Sequence, residues 1–356
     1  MAKKILMKGN EAIGEAAIRA GCLNYFAYPI TPQSEVAEYL CRRMPEVGGN
    51  FLQGESEVAV GYMLHGAAGA GERVFTTSSS PGVSLMSEAI SYIAGAECPA
   101  VFVNIIRGGP GLGGILPSQG DYFQSVKGGG HGDYRMLVMA PSSVQEAVEM
   151  VMTAFPLAEK YRNPVMILGD GLIGQMMEPV SFPDHLRREP TNKDEWAANG
   201  MSTRGSEKTN LIKSLFLDPV ALNDHNLKLK AKYERMKKEE VRFEAYNTDG
   251  DYRALIVSYG TMSRVCRTAI DRLKEEGVEV GMIRPQTLFP FPEKAIYDAA
   301  VKKSCAAVFS VEMSMGQMVE DVERCLYGKR PVVWYGKCGG EVPNPEEIMQ
   351  VVKEQI

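Results

Sequence analysis

Short apolar runs separated by helical patterns of about 10–15 residues recur along most of the chain, and that alternation limits the fold more than any other feature. Residues 23–30, 51–53, 74–77, 100–106, 136–140 and 165–168 read as strands. Between them, residues 11–20, 32–44, 55–70, 82–94 and 142–160 read as helices. Gly21 stops the first helix, and Pro32 opens the second with Thr31 as its expected N-cap. Such βαβ units predict a parallel α/β sheet, with ligands beyond the C-terminal ends of its strands. That directs attention to the loops 28–32, 54–57, 77–82 and 107–133. The last is glycine-rich with little periodicity, and a loop that long in a compact domain is usually functional or disordered.

Residues 181–250 break the pattern with Pro183, Pro190, Trp196 and few apolar residues. A charged helix is expected over Leu222–Glu244, where seven Lys/Arg and five Asp/Glu suggest a solvated face laced by i,i+4 ion pairs. From Asp251 the alternation returns, with strands at 252–258, 278–283, 306–311 and 332–335 and helices at 262–275, 293–302, 315–326 and 345–354. The expected organisation is an α/β domain at 1–180, a polar linker with a charged helix at 181–250, and a smaller α/β domain at 251–356.

Composition narrows the function. The 356 residues carry a net charge of −5, which argues against nucleic acid or anionic membrane as the main partner. No run approaches the ~20 apolar residues a membrane helix needs. Two lysines near the N-terminus have no apolar run behind them, unlike a secretory signal, so a soluble cytoplasmic protein is expected. The seven cysteines include no Cys-x-x-Cys, and the four histidines (65, 131, 185, 225) do not cluster. This chain is therefore expected to ligate neither a metal nor an iron–sulfur cluster.

Four loops carry chemistry-bearing residues. Tyr28-Pro29-Ile30-Thr31-Pro32 is a rigid corner, where Thr31 either caps a helix or helps hold a carboxylate at its N-terminus. Gly54-Glu55-Ser56-Glu57 opens an apolar helix. Its acids either complement the helix dipole or supply a buried carboxyl, kept protonated as a donor against a cofactor. Ser78-Ser79-Ser80-Pro81-Gly82 is another helix entrance, rich in hydroxyls. Arg107-Gly108-Gly109-Pro110 ends a buried strand with a guanidinium able to fork onto a carboxylate or phosphate. Gly169-Asp170-Gly171 with Asn199 imitates a Mg²⁺–diphosphate motif, but intervening prolines and an irregular polar stretch argue for an ordinary Asp-Gly turn.

Taken in order, Gly9-Asn10-Glu11-Ala12, Tyr28-Pro29-Ile30-Thr31-Pro32, Glu55-Ser56-Glu57, Ser79-Ser80-Pro81-Gly82, Arg107-Gly108-Gly109-Pro110 and Gly130-His131-Gly132-Asp133-Tyr134-Arg135 form a pattern. Arg284-Pro285-x-x-Leu288-x-Pro290-Phe291-Pro292 and Glu312-x-x-x-Gly316-Gln317 extend it into the second domain. The chain resembles the α-type, pyrimidine-binding subunit of 2-oxoacid:ferredoxin oxidoreductases, most closely the large subunit of the 2-oxoisovalerate (branched-chain) type. The resemblance implies a thiamine-diphosphate pyrimidine-binding domain followed by a transketolase-C-terminal-like α/β domain. It also implies an enzyme split over several chains. A partner subunit would bring Mg²⁺, the diphosphate half of the site and an iron–sulfur cluster, alongside small ferredoxin-like subunits. The enzyme would decarboxylate a 2-oxoacid, pass electrons to ferredoxin and leave the acyl group on coenzyme A.

The same resemblance implies residue roles. Glu57 matches the catalytic carboxyl that hydrogen-bonds the pyrimidine ring, with Glu55 as its neighbour and competitor. Thr31 and Arg107 match the positions that hold the substrate carboxylate, and His131 is expected at the mouth of the site. Tyr28, Pro29, Ser79 and Ser80 match the cofactor-facing motifs. Where many relatives carry a hydroxyl in the loop, this chain has Leu112 in Gly108-Gly109-Pro110-Gly111-Leu112-Gly113. A less polar loop favours a branched aliphatic 2-oxoacid over 2-oxoglutarate or pyruvate, the alternatives within the family. A non-catalytic scaffold that only shapes a partner's site is the remaining alternative, opposed by the joint presence of Thr31, Glu57 and Arg107.

Overall fold

The computed structural model describes residues 4–183, 193–200 and 209–356. Its strands are β1 Ile5–Lys8, β2 Asn24–Ala27, β3 Asn50–Gln53, β4 Val74–Ser78, β5 Val101–Ile106, β6 Leu137–Met139, β7 Val165–Asp170, β8 Met177–Val180, β9 Phe243–Tyr246, β10 Ala254–Val257, β11 Val280–Pro285, β12 Thr287–Phe289, β13 Ala307–Glu312 and β14 Val332–Gly336. The first large sheet runs β12-β6-β7-β5-β4-β2-β3 and is parallel except for β12. Every residue of β4 to β7 is buried, which is why β5 to β7 read as largely apolar runs without alternation.

The crossover helices of the first unit are α1 Gly9–Arg19, α2 Ser34–Glu46, α3 Glu57–Gly69, α4 Ser80–Gly95, α5 Tyr122–Val126, α6 Val144–Tyr161 and α7 Gly171–Gln175. α1 packs on α2 and α6, and α3 packs on α4. Gly61 permits the second approach, since a Cβ there would lie 2.7 Å from Ala89 Cβ. The charged helix α8 is Pro219–Glu239. The second unit adds α9 Gly260–Glu275, α10 Glu293–Ala300, α11 Met318–Leu326 and α12 Pro345–Gln355 around the sheet β14-β13-β10-β11-β9. No helix among the described residues is long and apolar enough to cross a membrane.

Three sequence expectations change. α2 starts at Ser34 with Gln33 at the N-cap, not after a Thr31 cap. The Pro32 carbonyl is taken by the side chains of Asn10 (2.8 Å) and Gln175 (3.2 Å), so it serves the packing of the corner rather than the helix. The charged helix ends at Glu239, and Phe243–Tyr246 is instead β9, antiparallel to β11. Sheet pairing overrides the helical pattern there, with the Arg242 carbonyl accepting from the amides of Gln286 (3.0 Å) and Thr287 (3.1 Å). The ion pairs of α8 mostly run outward, from Lys228 and Lys232 to Glu97, while Leu229, Tyr233 and Met236 bury a narrow apolar stripe.

β12 leaves the second unit to pair with β6, so the two units share a sheet edge. Beside it, Arg284 of β11 forks onto Glu146 of α6 with two 2.8 Å hydrogen bonds. Burial pushes the Glu146 carboxyl pKa up, but Arg284, the Ser142 amide and Gln286 outweigh it and hold it below the usual value. A carboxyl whose folded pKa is lowered stabilises fully above its unfolded value, ~4.3, and loses that contribution as pH falls through the folded value. Arg284→Met should therefore cost about 3–5 kcal/mol in urea unfolding at pH 7. That gap should narrow as pH falls below about 4. A gap independent of pH would assign the loss to packing instead.

Candidate active site

The carboxyl ends of β2, β3, β4 and β5 lie side by side, because these strands are parallel neighbours in the sheet. The four loops that the sequence singles out leave from these ends: the 28–33 corner, the start of α3, the start of α4 and Arg107. Parallel topology thus gathers residues from four motifs at one edge.

Glu57 is the first residue of α3 and 7% exposed. The helix is already capped by Ser56, whose Oγ accepts from the Ala59 amide at 3.2 Å. The Glu57 side chain lies against the start of α4, where a Cβ on Gly82 would stand 2.7 Å from Glu57 Oε1 and 2.1 Å from Ser78 Oγ. Gly82 is therefore required by close approach. The Glu57 carboxyl makes no hydrogen bond or ion pair with another described residue, and the buried Oγ atoms of Ser78 and Ser79 also have no partner there. Buried polar groups are normally satisfied, so this cluster has the character of a ligand-facing surface. Glu55, two residues earlier, is exposed.

Arg107 is 8% exposed at the end of β5. Its Nη1 donates to the Thr31 carbonyl (3.0 Å) and its Nη2 to the Leu112 carbonyl (3.3 Å), while Nε is buried without a partner among the described residues. The fork is held in place by two main-chain oxygens and keeps donors free for an anion. Thr31 is brought to Arg107 through its carbonyl, with the residue itself exposed. Tyr28 is half-buried against the core, and Pro29 is exposed. Ser80 links the two halves: its Oγ accepts from the Arg107 amide (3.1 Å), and its amide donates to Asn104 Oδ1 (3.0 Å).

Asn104, Asp121 and Gln33 were not singled out from the sequence. Asn104 Nδ2 donates to Asp121 Oδ2 at 2.9 Å. Burial pushes the Asp121 carboxyl pKa up, against opposing pulls from Ser80, Asn104 and Arg107. Gln33 is fully buried, with Nε2 unpartnered among the described residues. One signal existed for Asn104: it is the sole polar residue in the apolar run Val101–Ile106.

Two other residues lie elsewhere. His131 is exposed and sits on α4, where Ser91 Oγ donates to its carbonyl (2.6 Å) and its ring meets the Tyr92 ring edge-on. That is roughly three turns, about 16 Å, from the Ser80 end of the helix. Asp170 caps α7, accepting from the amides of Leu172 (2.9 Å) and Ile173 (3.1 Å), and takes the Thr261 hydroxyl at 3.0 Å. Asn199 instead contacts Asp194, so the imitation motif does not assemble. Among the described residues no group of three or more His, Cys, Asp or Glu is placed to hold a metal.

Residues 15–247 match the family model described as pyruvate flavodoxin/ferredoxin oxidoreductase, thiamine diphosphate-binding. Residues 253–348 match pyruvate:ferredoxin oxidoreductase core domain II. The chain is 48% identical to ketoisovalerate oxidoreductase subunit VorB of Methanothermobacter thermautotrophicus, over 98% of this chain and 97% of that one. It is 36% identical to 2-oxoglutarate synthase subunit KorA of Methanocaldococcus jannaschii, over 97% of this chain and 98% of that one. Among solved structures, the 2-oxoglutarate:ferredoxin oxidoreductase of Magnetococcus marinus, with 2-oxoglutarate, coenzyme A and succinyl-CoA bound, superposes with a TM-score of 0.88 at 28% identity. The match covers 99% of this chain and 65% of that longer one.

Proposed function

The chain belongs to the 2-oxoacid:ferredoxin oxidoreductases, carrying that family's thiamine-diphosphate-binding domain, and from this premise we propose that it is the pyrimidine-side subunit of an enzyme oxidising a branched-chain 2-oxoacid, 2-oxoisovalerate. The observation that carries this reading is the pairing of a buried, partnerless Glu57 with a preset Arg107 fork at one strand edge. The substrate rests on the higher identity to the ketoisovalerate relative than to the 2-oxoglutarate one.

The residues present fit the cofactor. The hydroxyls of Ser78 and Ser79, unpartnered among the described residues, offer polar contacts, and Gly82 lets Glu57 and Ser78 lie close against the start of α4. Bound thiamine diphosphate supplies the nucleophilic carbon that adds to a 2-oxoacid carbonyl and allows CO₂ to leave. Glu57 would hold a proton toward the pyrimidine nitrogen, and Ser78 and Ser79 would orient the ring. Arg107 would bind the substrate carboxylate, its fork aimed by the carbonyls of Thr31 and Leu112. His131 would act only at the rim, if a partner chain closes over α4.

Partner chains supply what this one does not offer in the reading: an iron–sulfur centre, Mg²⁺ with the diphosphate half, and ferredoxin-like subunits. Consistent with that division, the Asp170 carboxylate is engaged in capping α7 and anchoring Thr261. The test is co-expression with a cluster-bearing partner and viologen reduction with coenzyme A and a panel of 2-oxoacids. 2-Oxoisovalerate should exceed 2-oxoglutarate and pyruvate by about tenfold or more in kcat/KM. Preference for 2-oxoglutarate would move the substrate, and oxidation of none by a cofactor-loaded complex would end the enzymatic reading.

A further inference from the structure

The glycine-rich loop that braces Arg107 returns through residues 117–123, and that return arm is held almost entirely by the second unit. Gln119, 1% exposed, behaves as a spliced peptide unit. Its amide donates to the Met313 carbonyl (2.8 Å), its Oε1 accepts from the Met313 amide (2.9 Å), and its Nε2 donates to the Tyr259 carbonyl (2.9 Å). Gln317 grips the next residues, its Nε2 donating to the Gly120 carbonyl (2.6 Å) and its Oε1 accepting from the Phe123 amide (2.8 Å).

Gln317 is itself fixed by Glu312. That fully buried carboxylate accepts from the amides of Gln317 (3.0 Å), Met318 (2.9 Å) and Val319 (3.0 Å) and closes the start of α11. The arm touches the candidate site at two points. Pro117 bridges Arg107, and Asp121 accepts from Asn104, which in turn receives the Ser80 amide.

We infer that Gln119 and Gln317 are positioning residues for Arg107: the second unit clamps the return arm so that the guanidinium stays aimed at the substrate carboxylate. This rests on Arg107 having the role proposed above. The loop it closes has few side chains of its own to define it, since residues 108–114 include five glycines. A glycine loop loses much conformational entropy on ordering, so its geometry must be imposed from outside.

The test is a double-mutant cycle in the assembled, cofactor-loaded complex. Gln317→Ala should raise KM for the 2-oxoacid about tenfold with kcat changed less than about twofold. In an Arg107→Ala background the same substitution should change KM less than about twofold, because the residue it acts through is gone. Hydrogen exchange of the same complexes gives a readout independent of turnover: amides of residues 107–117 should exchange faster in Q317A, with β5 and β7 unchanged. Gln317→Glu, which keeps the acceptor for the Phe123 amide and loses the donor to Gly120, should fall between wild type and Q317A. Equal KM changes in both backgrounds, or unchanged exchange over 107–117, overturns the inference. Wild-type complex that oxidises no 2-oxoacid would instead remove the functional reading, while the exchange result would still decide whether the clamp orders the loop.

Discussion

Glu57→Gln should lower kcat of the assembled enzyme by about 10²–10⁴-fold, the range lost when a positioned proton-transfer group is removed. The substitution should leave the fold intact. The Glu57 side chain has no hydrogen-bonding partner among the described residues, so trading it for a neutral amide of similar size breaks no hydrogen bond or ion pair there. The outcome is thus a catalytically silent protein with unchanged or slightly higher resistance to urea. Wild-type turnover in this variant would refute the role of Glu57. A large loss of stability would show that the carboxyl is structural. Glu55→Gln is the control: that residue is exposed, and among the described residues its side chain hydrogen-bonds only the neighbouring Ser56 hydroxyl.

Arg107→Ala should raise KM for the 2-oxoacid by about 10–150-fold, corresponding to the ~1.5–3 kcal/mol of a hydrogen bond to a charged group. The effect belongs mainly in KM, because a carboxylate contact persists from ground state to transition state. Arg107→Lys should recover only part of it. An ammonium keeps the charge but cannot hold the carbonyls of Thr31 and Leu112 and a carboxylate in one plane. An unchanged KM in both variants would place the carboxylate site elsewhere.

The parallel sheet and the site edge were legible because short buried strands alternate with helices, and parallel topology sends the strand exits to one side, while the order of the strands emerged only in three dimensions. β1, β8 and β12 were not legible, because they lie outside the alternating βα pattern and are strands only through antiparallel pairing with distant segments, β1 with β8 and β12 with β6. β9 was hidden inside a charged helical pattern, and only its partner β11 decides that it is a strand. The start of α2 was misplaced because Pro32 is a good first helical residue by local rules, while its carbonyl is claimed from 22 and 143 positions away in sequence. His131 was drawn to the site by its glycine-rich loop, and packing on Tyr92 puts it on the outer length of α4.

By itself the sequence determined the fold class and the chemistry available to it, because hydrophobic period, glycine placement and residue type act locally. Whether Glu57 is buried, whether Arg107 is braced, and which distant glutamines hold its loop were decided only in three dimensions. Those properties come from neighbours far along the chain, brought together by strand order and by the seating of the second unit against the first, and no local pattern encodes such meetings.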